Sequence, residues 1–486
     1  MIEFRDVTFF YGEETAPSVD GVSLKIDKGE TVVLCGESGC GKSTMTRLIN
    51  GLIPHFHEGR LEGEVLYDGK RTTDMRLYEL SEHVGSVFQD PRTQFYNVES
   101  TVELAFGCEN LGVPPEEIEQ RITRTATRFG LEELLDRNLF AMSGGEKQRI
   151  ACGSVDATNP ETLVLDEPSS NLDLFAIHDL AQVVQRWRDD GKTLVIAEHR
   201  IFYLVDLADR FIYIRDGRIE REFRPDELRT LSPEALEDLG LRAPDPWKLA
   251  PRAEARGSGE SLSLRSLKCI TRGRRRLSIP ELTLPRGEII AVIGRNGAGK
   301  TTLARTLCGL EKTGSGVLGI DGATHDIRKR RDLVYMVMQD VNHQLFTEDV
   351  ISELLLSMDG TDPDAEQKRA MEILRSLDLD DKSGRHPMSL SGGEQQRVAI
   401  GSAIAAGREI LILDEPTSGL DHKRMTQVAD YLTAMSADGK TVLVITHDIE
   451  LVLRCCSHAI YLVDGEVAQK SRMDGTGAQQ LREFFE

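Results

Sequence analysis

A chain of 486 residues is too long for one compact domain; at roughly 150 residues per domain it suggests about three, and its 40% apolar content is enough to build them. A net charge of −21 argues against a general nucleic-acid surface, because phosphate backbones attract lysine and arginine. Eight cysteines with no CxxC pair exclude a disulfide framework and suggest neither zinc nor redox chemistry; buried thiols in a reducing compartment are expected.

The opening MIEFRDVTFF has acidic residues and no long apolar segment, so no signal peptide is expected, and no apolar run approaches the roughly 18 residues that span a bilayer. ETVVLC (30–35) is an apolar strand-like run. It leads into GESGCGKST (36–44), where Gly36, Gly41, Lys42 and Ser43 fit G-x-x-x-x-G-K-[ST]. After it Met45, Leu48 and Ile49 recur at helical spacing, and Gly51 can end that helix. A side chain on such a loop would keep backbone N–H groups from phosphate, so glycine is used; the N–H groups and the helix start behind them form an anion cradle. Lysine reaches the outer phosphates, and the Ser or Thr hydroxyl suits magnesium.

Further along, VPPEEIEQRITRTATRF (113–129) places Ile118, Ile122, Ala126 and Phe129 on one helical face after a Pro-Pro start. In MSGGEKQR (142–149), glycines at a helix start again leave N–H groups open to an anion. LVLDEPSSNLD (163–173) ends an apolar strand on Asp166 and Glu167, and AEH (197–199) ends on His199. Taken singly, an Asp-Glu pair there could be a solvated strand end, and a lone histidine could be structural. PDELRTLSPEALEDLGLR (225–242) reads as a short helical extension. The stretch 241–260, rich in Pro, Gly and charge, reads as a linker; its 17 residues from Ala243 to Gly259 reach up to about 58 Å at roughly 3.4 Å each.

The second half repeats the first. EIIAVI (288–293) precedes GRNGAGKTT (294–302), with Gly294, Gly299, Lys300 and Thr301 in the loop pattern and Leu303 and Leu307 in the following helix. MVMQD (336–340) repeats SVFQD (86–90), and PDAEQKRAMEILRSL (363–377) is the counterpart of the helix at 113–129. LSGGEQQR (390–397), LILDEPTSGLD (411–421) and ITH (445–447) follow. Ser143 to Ser391, Asp166 to Asp414 and His199 to His447 are each 248 positions apart, whereas Gly36 to Gly294 is 258 and Gln89 to Gln339 is 250, so the first half carries extra residues between its lysine loop and Gln89. A repeat of this length decides the architecture before any detail does. The basic runs 272–276 and 328–331 are read as solvated turns on an acidic chain.

This ordered set, present twice, resembles the ATP-binding cassette (ABC) ATPases over nearly the whole chain. The resemblance implies an α/β fold: two ABC-type P-loop NTPase domains in tandem, each a RecA-like α/β core with a small antiparallel β portion and an inserted helical subdomain. The implied domains are 1–242, with the extension 225–242, a linker at 243–260, and 261–486. ATP and Mg2+ are the implied cofactors. Gly36, Ser38, Gly39, Gly41, Lys42, Ser43 and Thr44 would hold one triphosphate, and Gly294, Asn296, Gly297, Gly299, Lys300, Thr301 and Thr302 the other. Magnesium would fall to Ser43, Gln89 and Asp166 in one half and to Thr301, Gln339 and Asp414 in the other. Glu167 and Glu415 resemble the general bases that activate water, and His199 and His447 the switch histidines at the γ-phosphate. Tyr11 stands where the family stacks an aromatic on adenine, with Phe10 a weaker candidate; the second half offers Thr271 or Arg272 there, so the Lys300 site is expected to bind ATP less tightly. In the family two cassettes close head to tail. Ser143, Gly144 and Gly145 would thus complete the Lys300 site, and Ser391, Gly392 and Gly393 the Lys42 site, with Asp173 and Asp421 in loops that line the opposite cassette.

Both halves keep Glu and His, so two hydrolytic sites are expected. Gln94-Phe95 and Gln344-Leu345-Phe346, after the glutamine loops, resemble the ATPases of energy-coupling factor (ECF) importers of vitamins and transition-metal ions, here fused into one chain. The implied partners are an integral membrane component, contacted near Gln89, Gln339 and the helical subdomains, and a substrate-capture membrane protein, but no nucleic acid. The implied location is peripheral, on the cytoplasmic face of the cell membrane. The tandem ATPase of sugar importers and a soluble ABC-F-like translation factor are the alternatives.

Overall fold

The computed structural model describes residues 1–253, 261–271, 273–320, 322–360 and 362–485; Glu254–Glu260 of the expected linker and Arg272 lie outside them. The chain divides into two units, Met1–Pro246 with Gly419–Lys423 and Trp247–Ser418 with Arg424–Glu486, each described here by itself.

In the first unit a six-stranded sheet runs in the order Arg218–Phe223, Arg210–Arg215, Thr31–Cys35, Thr193–Ala197, Thr162–Asp166, Val84–Val87. All neighbours are parallel except Arg218–Phe223, which pairs antiparallel at the edge. Parallel strands covered on both faces read as continuous apolar runs rather than alternating ones. TVVLC is such a run, and period two still operates within it: Val32 and Leu34 pack into the core shared with Phe4, Val22 and Met45, while Val33 and Cys35 enter the core that holds Leu165, Leu180 and Trp187. A four-stranded antiparallel sheet in the order Val19–Ile26, Ile2–Tyr11, Gly59–Tyr67, Lys70–Arg71 supplies the wall of the former core.

The second unit repeats both sheets. Val334–Val337, Ile410–Asp414, Thr441–Ile445, Ile289–Ile293, His458–Val463 and Glu466–Arg472 form the larger one in that order; Arg274–Pro285, Ser261–Thr271, Ser315–Ile320 and Ala323–His325 form the smaller. The fold is therefore the tandem mixed α/β arrangement expected from the sequence.

The expected amphipathic segment at 113–129 is the helix Pro115–Phe129, with Ile118, Ala126 and Phe129 buried and Gly130 closing it at φ 64°. It packs with the helices Ser100–Asn110 and Gly144–Thr158, and its counterpart is Pro363–Ser376. The extension at 225–242 forms two short helices, Pro225–Arg229 and Pro233–Asp238. All eight cysteines are free and buried. The basic run at 328–331 departs from the solvated reading at Arg330. That side chain is fully buried and donates to the carbonyls of Thr306 and Gly316, so it ties a helix to the smaller sheet's surroundings instead of facing water.

One buried carboxylate fastens the helical insertion to the core. Asp156 accepts from Trp187 Nε1 at 2.9 Å and from Thr125 Oγ1 at 2.8 Å. Its removal strands two buried donors, each costing about 1–3 kcal/mol. Asp156→Ala is therefore expected to lower unfolding stability by about 3 kcal/mol, read from the denaturant midpoint of the transition that quenches Trp187.

Candidate active site

The strand order assembles the site. Thr31–Cys35, Thr193–Ala197, Thr162–Asp166 and Val84–Val87 are consecutive neighbours running the same way. Their C-terminal ends deliver, side by side, the glycine loop at Gly36, His199, the Asp166–Glu167 pair and Gln89. Open α/β sheets bind ligands at this edge.

Gly36 and Gly41 show why the loop needs glycine. A Cβ on Gly36 would lie 2.2 Å from the Ile214 carbonyl oxygen, and one on Gly41, at φ 107°, would lie 2.4 Å from that of Ser18. Gly41 begins the helix Lys42–Ile49 with no side-chain cap, so the helix's first N–H groups face the loop's interior. Lys42 is buried, and its Nζ donates to the Gly36 and Glu37 carbonyls at 3.0 and 2.9 Å. The second unit repeats this: Gly299 at φ 101° begins Lys300–Leu307, and Lys300 Nζ donates to the Gly294 and Arg295 carbonyls at 2.7 and 3.2 Å.

Ser43 Oγ donates to Asp166 Oδ1 at 2.8 Å, and Thr301 Oγ1 to Asp414 Oδ2 at 2.9 Å. Burial pushes both aspartate carboxyls above their ordinary range, against these hydrogen bonds. A hydroxyl and a carboxylate, both hard oxygen donors at the mouth of a phosphate cradle, suit Mg2+. That ion takes one or two protein oxygens and fills its octahedron with water and phosphate.

Glu167 and Glu415 adopt left-handed backbone conformations, at φ 44° and 50°. Such a conformation is costly for a residue other than glycine and marks positions held by their surroundings. Here the Glu167 N–H donates to the Ala197 carbonyl and the Glu415 N–H to that of Ile445, each at 2.8 Å. The strand ending at the histidine therefore fixes the glutamate backbone. His199 Nε2 lies 3.1 Å from Glu167 Oε1, and His447 Nε2 lies 3.3 Å from Glu415 Oε1. Gln89 Nε2 donates to Glu167 Oε2 at 2.8 Å. Burial pushes the Glu167 carboxyl up, but the His199 hydrogen bond and the charges of His199 and Lys42 outweigh it and hold the group below the usual range, as a carboxylate.

Other expected residues fall as follows. Ser38 Oγ lies 3.4 Å from His199 Nε2. Tyr11 OH lies 3.3 Å from Thr44 Oγ1 and accepts from Arg47 Nη1 at 3.0 Å, so its ring stands beside the phosphate loop; Phe10 instead lies under the Arg60 guanidinium. Thr271 is an exposed strand end. Asp173 caps the helix Leu174–Asp189 by accepting the Ala176 N–H at 2.8 Å.

Ser143 and Ser391 are capping residues rather than members of their own unit's cluster. Ser143 is exposed, exchanges hydrogen bonds with Glu146, and begins the helix Gly144–Thr158; Ser391 begins Gly392–Ala405 in the same way with Glu394. Against its burial, the hydrogen bond from Lys382 and those from Ser391 hold the Glu394 carboxyl down at about 2. Sequence reasoning missed Glu198, a buried carboxylate adjoining His199. Its signal was a charge at the end of an apolar strand, where the second half has Thr446.

The family described as ABC transporter matches residues 19–170 and 277–418. A Treponema denticola protein, named as an ABC transporter ATP-binding protein, is 41% identical over 97% of both chains. One from Methanosarcina mazei, of the same name, is 32% identical over 99% of this chain and 89% of its own length. A solved structure of ribosome-bound archaeal Pelota and ABCE1 aligns with a TM-score of 0.71 at 23% identity, covering 99% of this chain and 80% of that one, a likeness of fold. The chain belongs to the ABC transporter family as a tandem ATP-binding protein. Its domains are those of an ATP hydrolase that binds ATP with Mg2+.

If the Ser43 and Thr301 hydroxyls hold the cation, Ser43→Ala and Thr301→Ala should each leave one of two nucleotide sites insensitive to Mg2+. Equilibrium dialysis with labelled ATP, with and without EDTA, reads this directly: two Mg2+-dependent sites in the parent chain and one in each variant.

Proposed function

We propose that this chain is the ATP-hydrolysing subunit of an importer of the ECF type. It would energise uptake of a small solute, of the vitamin or transition-metal-ion class, through a separate integral membrane component at the cytoplasmic face of the membrane. The observation that carries the reading is a pair of exposed aromatics on pinned backbone. In the first unit the buried Glu103 carboxylate accepts from the Tyr96 and Asn97 N–H groups at 3.0 and 2.8 Å; in the second, buried Glu353 accepts from those of Phe346 and Thr347 at 3.1 and 3.0 Å. Despite this fixed backbone Tyr96 is 82% exposed and Phe346 73%. Phe140 and Met388 add exposed apolar surface at corresponding places in the two units. A rigidly presented apolar patch just after each glutamine loop suits a docking partner that must register the state of the nucleotide. Leu345 is buried and Phe95 packs on the core, so the rest of each segment serves as anchor. Among the described residues no helix is long and apolar enough to cross a membrane, which leaves the passage to other chains.

The site residues take the roles their geometry supports. Lys42 and Lys300, already extended along their loops, exchange carbonyl partners for phosphate oxygens. Glu167 and Glu415 orient the attacking water and accept its proton, and His199 and His447 hold these carboxylates in place and reach the terminal phosphate. Bound Mg2+ would neutralise charge on the phosphate oxygens, held by Ser43, Asp166 and Gln89 or by Thr301, Asp414 and Gln339. Tyr11 stacks on the adenine of the Lys42 site. The capping turns at Ser143–Gly145 and Ser391–Gly393 take the role that the family resemblance gives them, offering helix-start N–H groups to a triphosphate, in cassettes at 1–242 and 261–486 joined by the connector 243–260.

Glu167→Gln and Glu415→Gln, assayed separately for phosphate release, should each cut turnover by half or more; full activity in either would remove its site from the mechanism. Affinity purification from detergent-solubilised membranes should bring down a multi-helix membrane protein, and Tyr96→Ala with Phe346→Ala should release it without loss of ATP binding. Recovery with ribosomal particles instead would overturn the importer reading.

A further inference from the structure

The histidine segments of the two units are braced from opposite sides. In the first unit the brace precedes the histidine. Glu198, 2% exposed, accepts from the His199 N–H at 2.7 Å and the Arg200 N–H at 3.2 Å through Oε2. Its Oε1 accepts from the Ser169 N–H at 3.1 Å and from Tyr203 OH at 3.0 Å. One carboxylate thus joins the histidine segment to the chain two residues beyond Glu167. In the second unit the brace follows the histidine. Asp448 Oδ2 accepts from Thr417 Oγ1 at 2.8 Å, Asp448 Oδ1 from the Leu451 N–H at 3.3 Å, and the Asp448 N–H donates to Thr446 Oγ1 at 3.0 Å. Ser169 and Thr417 correspond, at the repeat's spacing of 248 positions, as do Glu198 and Thr446, Arg200 and Asp448, and Tyr203 and Leu451. Both units therefore tie the same two segments together, but with carboxylates at different places in the chain.

The difference reaches the reacting groups. With Glu198 holding the His199 N–H, Glu167 Oε2 is left to accept from Gln89. In the second unit the His447 N–H points at Glu415 Oε2, at 3.4 Å. A buried carboxylate that accepts four hydrogen bonds is costly to disturb and locks the groups around it.

We propose that Glu198 is a positioning residue for the Lys42 site. It sets His199 and leaves the Glu167 oxygens to Gln89 and the His199 ring rather than to the His199 N–H, and so does for the first unit what Asp448 does for the second by another route. The inference rests on reading Glu167 and His199 as the hydrolytic pair.

The test replaces the brace with its counterpart. In a Glu415→Gln background, where turnover reports the Lys42 site, Glu198→Thr should lower kcat about 10-fold with KM changed by less than about 2-fold, since it disturbs placement of groups that act on the water rather than nucleotide binding. The triple change Glu198→Thr, Arg200→Asp, Tyr203→Leu, which installs the second unit's residues, should recover most of that loss. Glu198→Gln keeps the volume and serves if the threonine variant does not fold; it should lower kcat with the same unchanged KM. A purely structural role would lower thermal stability and leave turnover per folded molecule intact, and that result would overturn the proposal. So would a triple variant no faster than the single one. Glu167→Gln in the same Glu415→Gln background separates the two levels: if it retains full turnover the hydrolytic reading fails, and if it is inactive while Glu198→Thr is fully active only the brace fails.

Discussion

Every functional feature of each unit depends on four parallel strands being neighbours in one order. Hydrogen-bond ladders hold Thr31–Cys35, Thr193–Ala197, Thr162–Asp166 and Val84–Val87 edge to edge, so the residues leaving their C-terminal ends meet although they lie up to 163 positions apart between Gly36 and His199. Strands sit about 4.8 Å apart, and side chains at adjacent strand ends need only a hydrogen bond to close the gap. The Ser43–Asp166, Glu167–His199 and Gln89–Glu167 contacts close it.

Burial then makes these contacts consequential. Lys42, Lys300, His199 and His447 lie in regions with little access to water, where unpaired charge is expensive. Each lysine satisfies itself on its own loop's carbonyls, which keeps the side chain extended beside the cradle. Each glutamate has its backbone bonded to the neighbouring strand, which holds it in a conformation glycine would adopt more readily. Much of the ordering cost of the site is thus met during folding, before nucleotide arrives.

The duplication preserves this core and varies its supports. The lysine loops, the Ser/Thr–Asp pairs and the Glu–His pairs recur with nearly the same distances. The surroundings of the loops and the braces of the histidine segments differ: Tyr11 is held by Arg47 beside the first loop, and the second half has no aromatic at Thr271. Two sites with one chemistry but different surroundings have room to differ in affinity and rate.

What the sequence alone determined was the repeat, the two phosphate loops and the identity of each residue at the strand ends, because those signals are local in spacing and residue type. The apolar runs and the helix at 115–129 were legible for the same reason, since periodicity within one element reflects the face that element buries. Tertiary structure alone decided which distant residues meet. Nothing near Arg330 in the chain announces that it is buried against the Thr306 carbonyl, and nothing in AEH separates Glu198 as a brace from Glu198 as a surface charge. Hydrogen bonds between segments far apart in sequence depend on strand order and packing, and no local pattern of residues encodes them.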